Sequence, residues 1–234
     1  MIYSDNNGST WEKMNSGFSY HFLTDGVRGV AYGNQRWVAT GIDNEHSGGD
    51  IIYSDTGISW ITRDSTGASF TIKGGGVAYS SFGRRWVAVG LNLETTGSNI
   101  LYSDNNGSCW IATTQGACFD PSTGGNDVAY GKNTWVAVGG GGGYSSILYS
   151  TDNGLSWQSP TTGSSFGSAA IGNGVAYGTK SGIFVAVASD GGGGNGDIMW
   201  SNDGTCWVIS TGSSFGAGSY GIATDGSCWV AVGR

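Results

Sequence analysis

Charge is scarce in this chain of 234 residues: only 12% of them are Asp, Glu, Lys or Arg, and the net charge is −7. The ten basic residues are scattered, apart from the pair Arg84-Arg85. A polyphosphate partner requires a clustered cationic surface, so nucleic acid is excluded. No apolar run approaches the length of a membrane span, and no signal peptide opens the chain, so membrane insertion is excluded as well. The two histidines, His21 and His46, stand far apart with no carboxylate or nucleophile that the sequence places beside them. They read as surface residues. Proline occurs twice, so glycine, with 45 residues, carries most of the punctuation. Four cysteines fit no C-x-x-C metal spacing and read as free thiols; the sequence leaves a disulfide between units open.

What the chain does have is repetition. A turn opened by an aromatic residue and Ser, and closed by Trp, occurs five times: Tyr3–Trp11, Tyr53–Trp60, Tyr102–Trp110, Tyr149–Trp157 and Trp200–Trp207. The closing tryptophans are 49, 50, 47 and 50 positions apart. A period of that size marks one supersecondary unit that buries its apolar face only against its neighbours. Between the turns lie two short β-branched and aromatic runs, such as Val77-Ala78-Tyr79 and Trp86-Val87-Ala88-Val89, joined by Gly- and Asn-containing connections that suit tight hairpins. Phe184 takes the one second-run position that lacks Trp. A third row of aromatics, Tyr20, Phe70, Phe119, Phe166 and Phe215, follows the turns and is expected to anchor the crossing to the next unit.

Each unit therefore reads as four antiparallel strands, A to D, which is the size of a propeller blade. The expected fold is all-β, a single domain over 1–234 with five blades at about 27–60, 76–110, 127–157, 174–207, and 221–234 plus 1–11. In the last blade the N-terminal strands are expected to pair with the C-terminal ones and close the ring, which would remove two sheet edges. Met1 stands directly on a strand, as in a domain cut from a longer chain.

These turns resemble the Asp-box (BNR) repeats, S-x-D-x-G-x-x-W, of sialidases, sortilin-type receptors and related β-propellers. Ser150–Trp157 matches throughout, with Asp152 at the acidic position. Ser4–Trp11 and Ser103–Trp110 carry Asn6 and Asn105 there. Ser201–Trp207, with Asp203, and Ser54–Trp60, with Thr56, are one residue shorter. The resemblance implies a structural role: the polar side chain accepts turn amides, Gly supplies a positive φ and Trp covers the hairpin. It implies no metal, because the carboxylate ladder of a calcium loop is missing. No cofactor is expected.

The resemblance does not carry sialidase chemistry. None of Arg28, Arg36, Arg63, Arg84, Arg85 and Arg234 is followed by Ile-Pro, and Glu12, Glu45 and Glu94 match no family motif. No catalytic residue is assigned. The glycine runs Gly139–Gly143 and Gly191–Gly194 precede no helix that could hold a phosphate.

Strand order in a four-stranded blade puts the B–C loops on the face opposite the repeated turns. Those loops, Ile42–Asp50, Leu91–Asn99, Gly140–Ser146 and Ser189–Asp197, differ most between units. Variable loops on a rigid scaffold are where binding concentrates. The candidate binding residues are Asp43, Asn44, Glu45, Asn92, Glu94, Tyr144, Asp190 and Asn195. The expected function is a non-enzymatic, lectin-like or adhesive module that takes glycans, acting as a monomer at a cell or virion surface. The alternatives are a structural propeller that binds another protein, and a glycosidase-like enzyme with carboxylates such as Asp43, Glu45 and Glu94 paired across the ring.

Overall fold

A computed structural model describes residues 1–14, 26–42, 51–92, 99–113, 115–167, 170–189, 197–212, 215 and 217–234. Every regular element among them is a β-strand. The chain opens with a hairpin of β1 (Ile2–Tyr3) and β2 (Glu12–Lys13). A four-stranded antiparallel sheet follows: β3 (Val27–Gly33), β4 (Arg36–Gly41), β5 (Ile51–Ser54) and β6 (Ile61–Thr62). The next has the same order: β7 (Lys73–Ser80), β8 (Arg85–Leu91), β9 (Ile100–Ser103) and β10 (Ile111–Ala112). After β11 (Gln115–Gly116) come β12 (Gly125–Gly131), β13 (Thr134–Gly139), β14 (Ile147–Ser150) and β15 (Ser156–Trp157). The fourth unit holds β16 (Ile171–Gly178), β17 (Ile183–Ser189), β18 (Ile198–Ser201) and β19 (Val208–Ile209). The chain closes with a hairpin of β20 (Ser219–Thr224) and β21 (Trp229–Gly233).

Local chemistry explains the A–B hairpins. Asn34-Gln35 and Lys132-Asn133 both carry positive φ at each of two turn residues. That is the I′ geometry whose twist matches the flanking strands. Across each hairpin the two aromatic positions meet directly: Tyr32–Trp37, Tyr79–Trp86, Tyr130–Trp135 and Tyr177–Phe184 have ring centroids 4.7–4.9 Å apart and tilted planes. Phe184 thus performs the packing of the tryptophan it replaces, and tilted pairs of this kind suit aromatic quadrupoles.

The core lies between sheets, as the repeat length requires. One cluster joins Val38 and Ile51 of the first sheet to Trp86, Ala88, Leu101 and Trp110 of the second. Its counterparts join the second sheet to the third and the third to the fourth. Phe70, Phe119 and Phe166 are buried in these seams, as the third aromatic row demands, and Phe215 is half-buried. Tyr20 lies outside the described residues.

Two features differ from the sequence reading. The third sheet has three strands, because β15 pairs in parallel with β11 of the preceding crossing, and only the isolated bridge Tyr149–Gln158 continues the sheet outward. This tie between one unit's crossing and the next unit's turn recurs: Ala68 N donates to Trp110 O, Ala117 N to Trp157 O, and Trp207 N to Thr162 O. The second difference is at the ring seam. Residues 1–11 do not pair with 221–234: β1 bonds only β2, β21 bonds only β20, and no closed sheet forms among the described residues. The β20–β21 hairpin packs on β16 and β17, and Met1 and Met14 pack on Ala39, Ile52 and Trp60 of the first sheet. Each end stays with its sequence neighbour.

Candidate functional site

The turn face is consumed by its own hydrogen bonds. In all five turns the Ser hydroxyl accepts the Gly amide: Gly8 on Ser4, Gly57 on Ser54, Gly107 on Ser103, Gly154 on Ser150 and Gly204 on Ser201, at 2.8–3.0 Å. The acidic-position side chain takes the later amides. Asn6 accepts Thr10 N, Asn105 accepts Cys109 N, and Asp152 accepts both Leu155 N and Ser156 N. Asp203 accepts Thr205 N and Cys206 N, and Thr56 does the same work with its hydroxyl for Ile58 N and Ser59 N. The donors around Asp152 and Asp203 hold both carboxyls below the usual carboxylate range, outweighing partial burial. The indole nitrogens of Trp60, Trp110, Trp157 and Trp207 each donate to the turn glycine carbonyl. Trp11 stays largely exposed.

The same face carries cations that stitch units together. Arg36 forks onto Asp55 at 2.6 and 3.1 Å and reaches Asn106 O in the next unit. Arg85 does likewise with Asp104 and Asn153 O. All four cysteines are free. Among the described residues no group of His, Cys, Asp and Glu could hold a metal ion.

The opposite face is the one with unassigned surface. Of the residues that the sequence puts there, Asp43, Asn44, Glu45, Glu94, Asp190 and Asn195 lie outside the described residues, as do His21 and His46. Asn92 is buried: its Oδ1 accepts from Thr71, and its amide donates to Asn99 Oδ1. That makes it a brace at the loop base. Tyr144 is 48% exposed. Its backbone amide closes a turn onto Gly141 O, and the preceding Gly142 lies so close to the Asp120 carboxylate that a Cβ would collide with it. Asp120 is held by Ser122, through both hydroxyl and amide, which keeps its carboxyl below the usual range. The exposed Tyr144 thus stands two residues along the chain from Gly142, whose backbone approaches the Asp120 carboxylate.

Sequence reading missed the residue just before each C strand. Asn99 Nδ2 donates to Phe119 O, Ser146 Oγ accepts Phe166 N, and Asp197 Oδ2 accepts Phe215 N. Each pins the base of a variable loop to the buried aromatic of the next crossing. The available signal was the polar residue that precedes the Ile-x-aromatic-Ser run in four units. Also missed was Asp127, on the inner strand β12, where the equivalent positions are Gly29, Gly76, Gly174 and Gly221. Its carboxylate accepts Val128 N at 2.9 Å and Val175 N of the next unit at 3.0 Å. Burial outweighs these two donors and pushes its pKa up to about 6. Beside it Asn126 and Asn173 donate across the inner seams to Gly172 O and Ser219 O.

No family model and no curated protein matches the chain. Solved structures do. The xyloglucanase of glycoside hydrolase family 74 from Xanthomonas campestris aligns over 99% of this chain and 39% of its own, with a TM-score of 0.64 at 14% identity. YCF48 from Cyanidioschyzon merolae aligns over 86% of this chain and 60% of its own, with a TM-score of 0.51 at 16% identity. A chain of the nidogen/laminin complex aligns over 88% of this chain and 71% of its own, with a TM-score of 0.51 at 15% identity. The chain thus spans less than two thirds of the length of the first two. At such identities the likeness speaks for the fold alone, and that fold, an all-β assembly of antiparallel sheets packed face to face, is a β-propeller.

Proposed function

We propose that the chain is a non-enzymatic recognition module: an Asp-box propeller of five repeat units that binds glycans through its B–C loop face. The division of labour between the faces carries this reading. On the turn face the repeated Ser, Asp and Asn side chains serve the turns and Arg36 and Arg85 serve the seams, whereas the loop face offers the exposed Tyr144 in a loop whose Gly142 backbone approaches the Ser122-held Asp120 carboxylate. An aromatic plate next to fixed polar groups suits a sugar ring, whose CH face stacks while its hydroxyls bond. Similarity to a xyloglucanase is compatible with a carbohydrate ligand. A second reading, a propeller that binds protein, is favoured by the apolar side chains exposed at both ends of the strand array.

The test is a glycan array followed by titration calorimetry on the best hit. Saturable binding that Tyr144→Ala abolishes, with an unchanged melting temperature, supports the proposal. Turnover of a fluorogenic glycoside would instead establish an enzyme. Silence on the array would leave protein recognition as the better account.

A further inference from the structure

We propose that Arg28 and Lys73, at the loop-face end of the inner strands, bind the carboxylate of an Asp or Glu side chain on an extended peptide segment of a partner protein. The site rests on seams made within the chain, between the first three units, and is independent of glycan binding. Two residues before the matching valines Val30, Val77, Val128 and Val175, the inner strands carry Arg28, Gly75, Asn126 and Asn173. In the third and fourth units this position ties a seam: Asn126 Nδ2 donates to Gly172 O at 2.9 Å and Asn173 Nδ2 to Ser219 O at 2.7 Å. Arg28 holds the same register and makes no such bond among the described residues. Its unit is joined to the next by Thr40, whose hydroxyl donates to Gly75 O. Gly75 offers no side chain to the following seam. Lys73, two residues earlier on the same strand, reaches across it instead, and its Nζ donates to Asn126 Oδ1 at 3.3 Å.

The two cations stand on closely packed backbone. β3 packs on β7 and β7 on β12. A Cβ on Gly29 would strike Gly75 O, and one on Gly75 would strike Gly125 O, so the inner strands of three units meet flush. Lys73 pairs with Leu91 and Val27 with Gly41, at the strand ends that lead into the variable loops. Partial burial and the neighbouring Arg28 guanidinium hold the Lys73 amine below its ordinary pKa. Like charges side by side, one of them half-buried, cost stability until an anion answers them. The chain has 17 Asp and Glu for 10 Lys and Arg, yet the ion pairs among the described residues belong to Arg36 and Arg85. Neither Arg28 nor Lys73 has a carboxylate partner there. An ammonium has three donors and a guanidinium five, so the pair retains donors for both oxygens of one carboxylate. The net charge of −7 repels a polyanion, so the ligand brings one such group among neutral ones. Along the same rim Asn173 Oδ1 accepts no bond among the described residues and can take a peptide amide. An extended peptide with a single acidic side chain meets both conditions.

The experiment titrates the full chain, isotope-labelled, with a capped pentapeptide of four glycines around a central glutamate, and with its glutamine twin. Backbone amide shifts are followed by NMR. The glutamate peptide should give saturable shifts centred on Gly74, Gly75 and Gly76, and the glutamine twin should bind at least about tenfold more weakly, the loss expected of a hydrogen bond to a charged group. Arg28→Gln and Lys73→Gln should each weaken the glutamate peptide by about the same factor. Arg28→Lys should recover part of the affinity. The melting temperature should not fall in Arg28→Gln, because the side chain is exposed and a like-charge contact is removed. Arg84→Gln, an exposed cation on the turn face, should change nothing. Three outcomes overturn the proposal. The first is equal binding of the two peptides. The second is equal loss in Arg84→Gln, which would show diffuse attraction. The third is galacturonic acid binding at least about tenfold tighter than the glutamate peptide at these glycines, which would make the ligand an acidic sugar. Tyr144→Ala touches none of these readouts, so this proposal and glycan binding fail separately.

Discussion

Asp127 gives the protein a pH dependence opposite in sign to that of its other perturbed carboxylates. The group is buried on the inner strand, and its pKa is raised from 3.8 to about 6. A raised native pKa means that the folded state binds more protons than the unfolded chain between those two values. Stability contributed by the protonated group is complete below about 3.8, falls as pH rises through that window and is gone above about 6. At 1.36 kcal/mol per unit the loss is ~3 kcal/mol between pH 3.5 and 7. Asp152 and Asp203 have depressed values and run the other way, losing stability as pH falls. The wild-type profile alone therefore mixes both signs. Asp127→Asn removes the titration while keeping one acceptor for Val128 N or Val175 N. Urea unfolding of both proteins from pH 3.5 to 7 isolates the group by difference. The variant should gain ~3 kcal/mol relative to wild type across that range. Superimposable profiles would refute the reasoning, because they would mean that the carboxylate ionises in the folded protein as it does in the unfolded one.

Three further outcomes are expected. Phe166→Ala should cost about 3–5 kcal/mol by denaturant unfolding, since the ring is buried in the seam between the third and fourth units; a cost below 1 kcal/mol would remove the third aromatic row from the core. Asp152→Ala should cost about 1–3 kcal/mol, because Leu155 N and Ser156 N lose their acceptor, and it should leave glycan affinity unchanged in calorimetry. Gly116→Ala should lower the melting temperature, because φ there is +99° and a Cβ would strike the Trp157 carbonyl across the β11–β15 pairing; an unchanged melting temperature would mean that this tie between units is dispensable.

The repeat, the strands and their turns are legible in the order of the amino acids, because each is a local matter. Period-two aromatic and β-branched runs sit between Gly- and Asn-rich turns, and Ser, Asp and Gly at fixed offsets within one hairpin find each other whatever surrounds them. The buried third row of Phe70, Phe119 and Phe166 was legible for the same reason: it follows from a position in the repeat. Features that depend on how units meet were not legible in that order. Asn92 had the composition of a ligand-binding residue, yet Thr71 and Asn99, brought beside it by neighbouring segments, make it a brace. Asp127 looked like one polar residue among many, and its burial and raised pKa appear only when the fourth unit's inner strand places Val175 N against it. The tie that draws β15 to β11 was hidden for the same reason. The ring seam is the clearest case. Complementary half-blades at the two ends of a sequence predict that they pair, but whether they reach each other depends on the angle accumulated over every seam between them. That angle is set by side-chain packing between units, and no pattern within a unit encodes it.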